Sequence, residues 1–425
     1  MQKGRHVSHI RGLAAALALA GWAAASARAE AQFAGTWQTT LGANLGITVR
    51  LTQEKDRVEG AYLFQGALCS LQGQVKGSRL EFTYREQKSG GAGWFELAPD
   101  GKTFVGQWHE KDSSIWHTWV GARVDLDIRT ALTFDGVWAS TFGRMRLLQR
   151  EHGVQGVYDY AGGSTLAGKV EGRRLKFTYQ EPKAAGEGWF ELSADGNALH
   201  GQWKQAGADA WSSWDAVRVF PMPGVVWLVV IEAYWESNLA QQEYSFGNML
   251  KAFFARAPNV QVRQRFFYSE ADLKQCCREV GFLAEPVVVC IASHATPEGV
   301  GAGGKTIGAE GIAEGLRYAN NVRLLHFSAC LAMRDKLPNE IVERLGACAR
   351  FPISGYTTTV DWVASAVLEF LYFDLILVRG MSPKTAADQL RILMPFAEEQ
   401  DLPNAVIRPA GFKILMPGEK PGKKP

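Results

Sequence analysis

The pattern of apolar and polar residues changes character about halfway along the chain. In the first half, apolar positions alternate with polar ones, as in the segment 80–84, which reads Leu-Glu-Phe-Thr-Tyr. A period of two predicts β-strands with one buried face. Beyond residue 222 the apolar residues form continuous runs, such as 225–231 and 286–292. Such runs are typical of strands buried on both faces of a parallel sheet, so the chain combines two kinds of domain.

The alternating region is an internal duplication. Short motifs recur in the same order, and from the middle of the unit onward the two copies are offset by 95 residues: Gly93-Trp94-Phe95-Glu96-Leu97 with Gly188-Trp189-Phe190-Glu191-Leu192, and Trp116 and Trp119 with Trp211 and Trp214. Asp-Gly turn signals at 100–101 and 195–196 separate apolar runs, as in β-hairpins. The repeats predict two small antiparallel β-barrel or sandwich modules, over residues 30–124 and 131–220.

The tryptophans of these modules have two interpretations. Each copy opens on Gly-x-Trp, at Gly35 to Trp37 and Gly136 to Trp138, which is similar to the first strand of lipocalin-like barrels. Core packing is the simplest use of so many indoles, and a platform for an aromatic or glycan ligand is the other. The copies share no acid pair and no metal-ligand cluster, and Cys69 aligns with Ser164. We therefore assign the modules to substrate or surface binding, and not to chemistry.

The region 222–416 is predicted to be a three-layer α/β domain with a mostly parallel sheet, followed by a flexible tail, 417–425. Predicted strands cover 225–231, 260–267, 286–292, 322–327 and 351–354, and predicted helices cover 246–255, 269–280, 307–319, 339–348 and 362–378. Strands that alternate with helices favour a parallel sheet covered on both faces. The apolar run 362–378 contains Glu369 and Asp374, which favours a buried core helix over a membrane span.

Two apolar strands end in residues that together suggest nucleophilic chemistry. The strand 287–292 leads to His294, and the strand 322–327 leads to Cys330. Functional groups of parallel sheets lie beyond the carboxyl ends of the strands. If these strands are neighbours, an imidazole base and a thiol nucleophile leave the sheet at the same edge. A zinc site built from His294, His326 and Cys330 lacks a fourth ligand, so we predict no metal and no cofactor.

An apolar strand that ends in His, followed by one that ends in Ser/Ala-Cys, resembles the caspase-like cysteine peptidases, which include the metacaspases and the bacterial CHAT domains. The resemblance covers residues 225–380 and implies endopeptidase activity on a protein or peptide substrate, with His294 as acid/base and Cys330 as nucleophile. Ala295 stands where the family usually has Gly, and Leu331 follows the cysteine where a small residue is expected. These departures keep open the alternative of a non-catalytic binding or scaffold protein with a degenerate caspase-like domain.

Three further residues are candidates for the oxyanion or substrate pocket: Ala295, Ser328 and Asp361. Asp361 suits a basic P1 residue, or it simply caps the helix that begins at Trp362. Lys305 and Arg334 would instead favour an acidic P1 residue. The sequence leaves these alternatives open.

The N-terminus and the charge balance indicate where the protein acts. Basic residues precede a short apolar run at 13–25, and Ala27-Arg28-Ala29 fits a signal-peptide cleavage site, so residues 1–29 predict export to the periplasm or the extracellular space. The net charge is +3 over 425 residues, which argues against nucleic acid as a partner. The expected partners are a peptide substrate and a glycan or surface ligand for the modules, with no stable membrane span.

Overall fold

A computed structural model describes residues 31–419, except 42–43, 65–66, 125–131, 223, 237–239, 241–243, 335 and 399–407. The predicted signal peptide lies outside the described residues, as does most of the predicted tail. Both halves of the chain have the predicted fold class.

The duplicated region forms two closed antiparallel barrels of eight strands each. The first barrel consists of β1 (Gly35–Leu41), β2 (Asn44–Glu54), β3 (Arg57–Phe64), β4 (Ala67–Lys76), β5 (Arg79–Arg85), β6 (Gly90–Leu97), β7 (Thr103–Glu110) and β8 (His117–Arg123). The second consists of β9 (Gly136–Ser140), β10 (Gly143–Arg150), β11 (Gly153–Tyr158), β12 (Ser164–Glu171), β13 (Arg174–Gln180), β14 (Ala185–Leu192), β15 (Ala198–Gln205) and β16 (Ser212–Val219). Each strand pairs with the next, and β1 pairs with β8 as β9 pairs with β16. The modules are therefore up-and-down barrels, and not sandwiches.

Each barrel has two indoles in its core, and an arginine lies over one of them. Trp37, Trp119, Trp138 and Trp214 are at most 2% exposed. The guanidinium of Arg218 lies 4.2 Å from the ring centroid of Trp138, as Arg123 lies over Trp37. Core packing is thus confirmed for these four indoles. It does not hold for Trp116 and Trp211, which remain exposed.

The second half of the chain is a three-layer α/β domain. Its strands are β17 (Val226–Ala233), β18 (Val260–Phe267), β19 (Val287–Ala292), β20 (Ala295–Thr296), β21 (Gly299–Ala302), β22 (Lys305–Ile307), β23 (Val322–Ser328), β24 (Ile353–Tyr356) and β25 (Phe412–Leu415). Its helices are α1 (Phe246–Phe253), α2 (Glu270–Val280), α3 (Ala309–Leu316), α4 (Lys336–Leu345), α5 (Trp362–Phe373) and α6 (Pro383–Leu393). Six strands form the main sheet in the order β18-β17-β19-β23-β24-β25, all parallel except β25. Helices α2, α3 and α4 pack on one face, and α1, α5 and α6 pack on the other.

Some boundaries differ from those predicted. Helix α3 is shorter than 307–319 because Ile307 ends β22, one of three short strands that form a separate small sheet after His294. The run 362–378 consists of α5 and a π-helical turn at Asp374–Val378, with Glu369 fully buried as expected of a core helix. Within the part of the chain that the structure describes, no helix combines the length and apolar character needed to span a membrane.

Polar contacts join the three units. Arg50 of the first barrel forms an ion pair of 3.0 Å with Asp195 of the second. Asn197 Nδ2 also donates to Thr36 Oγ1 at 2.7 Å across the same interface. Arg146 of the second barrel is buried against the end of α2, where its Nε donates to the Gly281 carbonyl at 2.6 Å.

Candidate active site

The register of the main sheet brings His294 and Cys330 to the same edge. Strands β19 and β23 are parallel neighbours, and Ala292 pairs with Ser328. His294 comes two positions after Ala292, and Cys330 comes two positions after Ser328. Neighbouring strands of a sheet lie about 4.8 Å apart. The amide of Ser293 also donates to the Ser328 carbonyl at 3.3 Å, which extends the pairing beyond β19. The two residues therefore lie at the same edge of the sheet, beyond the ends of neighbouring strands.

His294 lies exposed at the base of the small three-stranded sheet. Its carbonyl accepts a hydrogen bond of 2.6 Å from the Gly301 amide and one of 2.8 Å from Ser293 Oγ. Both bonds hold the carbonyl group of His294 in place. The ring packs edge-to-face against Trp235, with 5.1 Å between centroids.

A buried carboxylate holds that tryptophan in place. Glu232, near the end of β17, is 0% exposed and accepts the Trp235 indole N–H at 2.7 Å. It also accepts the first amides of α1, from Phe246 at 2.6 Å and Gly247 at 3.1 Å. Ser245 Oγ and Gln264 Nε2 complete its set of donors. Sequence reasoning missed this pair, although an acid inside the apolar run of β17 is a recognisable signal because a buried charge needs partners.

The thiol of Cys330 is half-buried and lies against the segment before α5. The Val360 amide donates to Cys330 Sγ at 3.4 Å. A backbone donor from a different segment thus faces the predicted nucleophile.

Leu331, which follows Cys330, has a left-handed backbone with φ of 60°. This conformation costs about 1–2 kcal/mol in a residue with a side chain, and such strain concentrates at functional sites. The Leu331 amide donates to the Thr358 carbonyl and the Met333 amide to that of Tyr356, each at 3.0 Å. These bonds hold the sharp turn that follows the cysteine without the expected small residue.

A cavity of about 630 Å³ opens beside His294. Tyr234 and Tyr268 stack at 4.5 Å and form part of its wall together with Trp235. The rest of the lining comes mostly from the small sheet, including Ala295 and Lys305, and Glu236 adds a carboxylate. The cavity therefore has an aromatic wall and is lined by one basic side chain, Lys305, and one acidic side chain, Glu236.

The other predicted pocket residues have distinct surroundings. Ala295 lies in β20, pairs with Val300 and lines the cavity. Ser328 is half-buried at the end of β23. Asp361 caps α5, because its Oδ1 accepts the amides of Val363 at 3.0 Å and Ala364 at 3.1 Å. The capping role of Asp361 is thus observed, and its role toward a P1 residue remains a prediction.

A second ionisable cluster lies in the core behind this site. His326 is 0% exposed, with Nδ1 2.9 Å from Ser354 Oγ and Nε2 3.2 Å from Glu369 Oε1. Tyr356 donates to the same carboxylate oxygen at 2.9 Å, and burial beside Glu369 holds the tyrosine pKa well above its usual range. All four residues are fully buried, and their contacts join β23, β24 and α5.

Comparisons with known proteins do not identify a family. No protein-family model and no curated protein sequence matches the chain. Among solved structures, the Burkholderia oklahomensis agglutinin is 10% identical over 44% of this chain and 95% of its own, with a TM-score of 0.16. The haemoglobin receptor HpuA from Kingella denitrificans is 12% identical over 44% of this chain and 89% of its own, with a TM-score of 0.14. A bifunctional GH43-CE protein from Bacteroides eggerthii is 8% identical over 76% of this chain and 95% of its own, also at 0.14. At these TM-scores the similarities carry no argument about function.

Proposed function

We propose that this protein is an exported cysteine endopeptidase of the caspase-like type, with two β-barrels that bind substrate or a surface. The register pair Ala292–Ser328 is the observation that carries the proposal, because it aligns His294 with Cys330. The strained turn at Leu331 and the amide of Val360 at the sulfur add support.

The proposed reaction uses the two side chains in sequence. His294 takes the thiol proton of Cys330, and the thiolate attacks the carbonyl carbon of the scissile peptide bond. Since the Leu331 amide already donates to Thr358, the oxyanion donor on this turn falls to the amide of Cys330. His294 returns the proton to the leaving amine, and water then hydrolyses the thioester to a carboxylic acid.

The alternative is a non-catalytic binding protein whose α/β domain has lost activity. Ala295 favours it, because alanine at the residue after His294 allows fewer backbone conformations than glycine. The two functions differ in what they require of Cys330. Only the peptidase needs a thiol whose reactivity depends on His294.

Thiol labelling of the full-length chain at neutral pH tests this difference. Burial raises the pKa of Cys69 and of Cys276 to about 11, and it raises the pKa of Cys277 and Cys290 further. These four thiols should react slowly with iodoacetamide, since the thiolate is the reactive form. Only Cys330 and Cys348 are half-buried among the six free cysteines, so Cys348 is the matched internal control.

We expect the Cys330 thiol to be alkylated faster than the Cys348 thiol. The substitution His294→Ala should lower the alkylation rate of Cys330 by at least about tenfold and leave the alkylation rate of Cys348 unchanged. Cleavage of fluorogenic peptides with basic, acidic and neutral P1 residues should be lost in Cys330→Ala. Equal alkylation rates at both thiols, insensitive to His294→Ala, together with no cleavage by the wild type, would overturn the peptidase proposal.

A further inference from the structure

The outer walls of the two barrels have diverged between the copies. Aligned positions on strands β4 to β7 and β12 to β15 often differ in charge or polarity: Gln72 and Ala167, Gln74 and Lys169, Lys76 and Glu171, Glu81 and Lys176, Ala92 and Glu187, His109 and Lys204. Lys76 pairs with Glu81 at 3.0 Å, whereas Glu171 pairs with Lys176 in the opposite order at 2.7 Å. Solvent-facing positions of the fold thus accept substitution readily.

Several outward-facing residues stand unchanged among these variable positions, and four of them lie around the exposed indoles. They are an arginine, a threonine and two tryptophans in each barrel: Arg79, Thr83, Trp94 and Trp116 in the first, and Arg174, Thr178, Trp189 and Trp211 in the second. Trp116 is 47% exposed and Trp211 is 42% exposed. Neither indole belongs to the buried core of its barrel, so core packing does not explain its retention in both copies.

In the second barrel these residues border one shallow groove of about 550 Å³. Trp189 and Trp211 line it together with Thr178, Glu187 and Arg174, and we call this set the indole groove. The Arg174 guanidinium lies 4.5 Å from the Trp189 ring centroid, and the Lys204 amine lies 5.0 Å from that of Trp211. Lys204 also pairs with Glu187 at 3.1 Å. Fixed indoles therefore stand among charged and hydroxyl groups that are close enough to contact the same ligand.

The first barrel repeats the arrangement with different neighbours. Arg79 lies 4.1 Å from the Trp94 ring centroid. The ring of His109 packs against Trp116 with 4.4 Å between centroids, in the place that Lys204 takes beside Trp211. The two indoles and the arginine are thus present in both barrels, and the neighbour of the exposed indole differs between them.

We propose that the indole groove of the second barrel and the equivalent surface around Trp94 and Trp116 of the first barrel are two carbohydrate-binding sites. A pyranose ring presents C–H groups on its face and hydroxyl groups around its rim, which suits an indole bordered by Thr, Arg and Glu side chains. The groove volume lies in the range of small-molecule sites, and a shallow groove of this size favours a short stretch of glycan over a folded protein.

The duplication indicates a polymeric glycan. Two similar sites joined in one rigid chain add avidity only when a single ligand repeats the bound unit. The two barrels are held against each other by the contacts of Arg50 with Asp195 and of Thr36 with Asn197. The distance between the two proposed sites is therefore defined. The inference rests on the binding role of the barrels in the proposed function, and it does not depend on the His294–Cys330 pair.

Affinity electrophoresis of the full-length protein tests the proposal. The probes are four soluble polysaccharides cast separately into native gels: mannan, xylan, mixed-linkage β-glucan and glycol chitin. We expect the wild-type protein to be retarded in at least one gel. The double variant Trp116→Ala, Trp211→Ala should bind that polysaccharide at least about tenfold more weakly, as expected for hot-spot tryptophans. Each single variant should retain part of the binding.

Ile115→Ala is the matched control, because Ile115 is 64% exposed beside Trp116 and the second copy already has alanine at the aligned position 210. It should leave the retardation unchanged, as should Cys330→Ala, which removes only the peptidase. Near-UV circular dichroism checks that each variant is folded. Absence of retardation in all four gels, or equal retardation of the wild type and the folded double variant, would overturn the proposal.

Discussion

The Glu232 carboxylate accepts the indole N–H of Trp235 at 2.7 Å, and the same indole packs edge-to-face on His294. Glu232 is fully buried and anchors the amides at the start of α1 as well. The orientation of the candidate acid/base is therefore coupled to the packing of α1. Glu232 and Trp235 are positioning residues, because neither is proposed to react with substrate.

Replacing Trp235 by Phe keeps an aromatic ring but removes the N–H that Glu232 holds. For an active enzyme, we expect kcat to fall by about tenfold, because a misoriented base transfers protons less efficiently, while KM changes little. Steady-state kinetics on a cleaved peptide measure the two constants separately. Phe253→Leu, an exposed position on α1, is the control and should leave both constants unchanged. A rise in KM alone would assign Trp235 to substrate binding through the adjacent cavity.

The contact of Arg146 with the end of α2 should stabilise the docking of the second barrel. Its Nε donates to the Gly281 carbonyl at 2.6 Å, and a terminal guanidinium nitrogen donates to that of Leu283 at 2.7 Å. Burial lowers the pKa of Arg146 to about 10, so the side chain stays charged at neutral pH. Arg146→Met removes both donors and leaves two carbonyl oxygens without them, which should cost about 2–4 kcal/mol of unfolding free energy.

Calorimetry and amide hydrogen exchange check this expectation. In Arg146→Met, the barrel and the α/β domain should melt in separate steps, and exchange should speed up around residues 281–283. Arg57→Met is the control, because Arg57 forms only an exposed ion pair with Glu59, worth at most about 1 kcal/mol. A single transition at the wild-type temperature would show that Arg146 does not hold the interface.

Local patterns explain which parts of the fold were predictable. The alternation in segments such as 80–84 and the Asp-Gly turns involve only neighbouring strands, so the two modules were identified correctly. Whether each module closes depends on the pairing of β1 with β8, which are far apart in sequence. The periodicity within each strand contains no information about that contact, and barrel and sandwich remained equal alternatives.

The candidate site shows the same limit. The apolar runs before His294 and Cys330 predicted two buried strands, and the Ala292–Ser328 register shows that these strands are parallel neighbours. Catalysis by the pair stays a prediction. Trp235 was missed because it lies in a loop after β17, where no periodicity applies, and the small sheet β20–β22 was missed because its strands have two to four residues. The retained indoles of the barrel surface were visible in the repeats, but only their exposure separates them from core indoles.

Arg218 should contribute more to barrel stability than any exposed charge, because its guanidinium is buried over a core indole of the second barrel. It is 6% exposed, lies over Trp138, and donates from Nε to the Gly196 carbonyl at 2.9 Å. Its terminal nitrogens donate to the carbonyls of Asp135 and Thr133, each at 2.5 Å. Gly136, with φ of +134°, is required there because a Cβ would lie 2.9 Å from the same guanidinium.

Burial lowers the Arg218 pKa to about 10. A base with a lowered folded pKa favours unfolding fully at pH values below that pKa, and the effect is lost as the pH rises from the folded to the unfolded pKa. The contribution is therefore constant through neutral pH. Arg218→Lys keeps a charge but loses the planar fork of donors, so it should cost about 2–4 kcal/mol of unfolding free energy, with the same loss at pH 6 and pH 8. Urea denaturation at both pH values measures it. Recovery of wild-type stability by the lysine would show that charge alone is needed at this position.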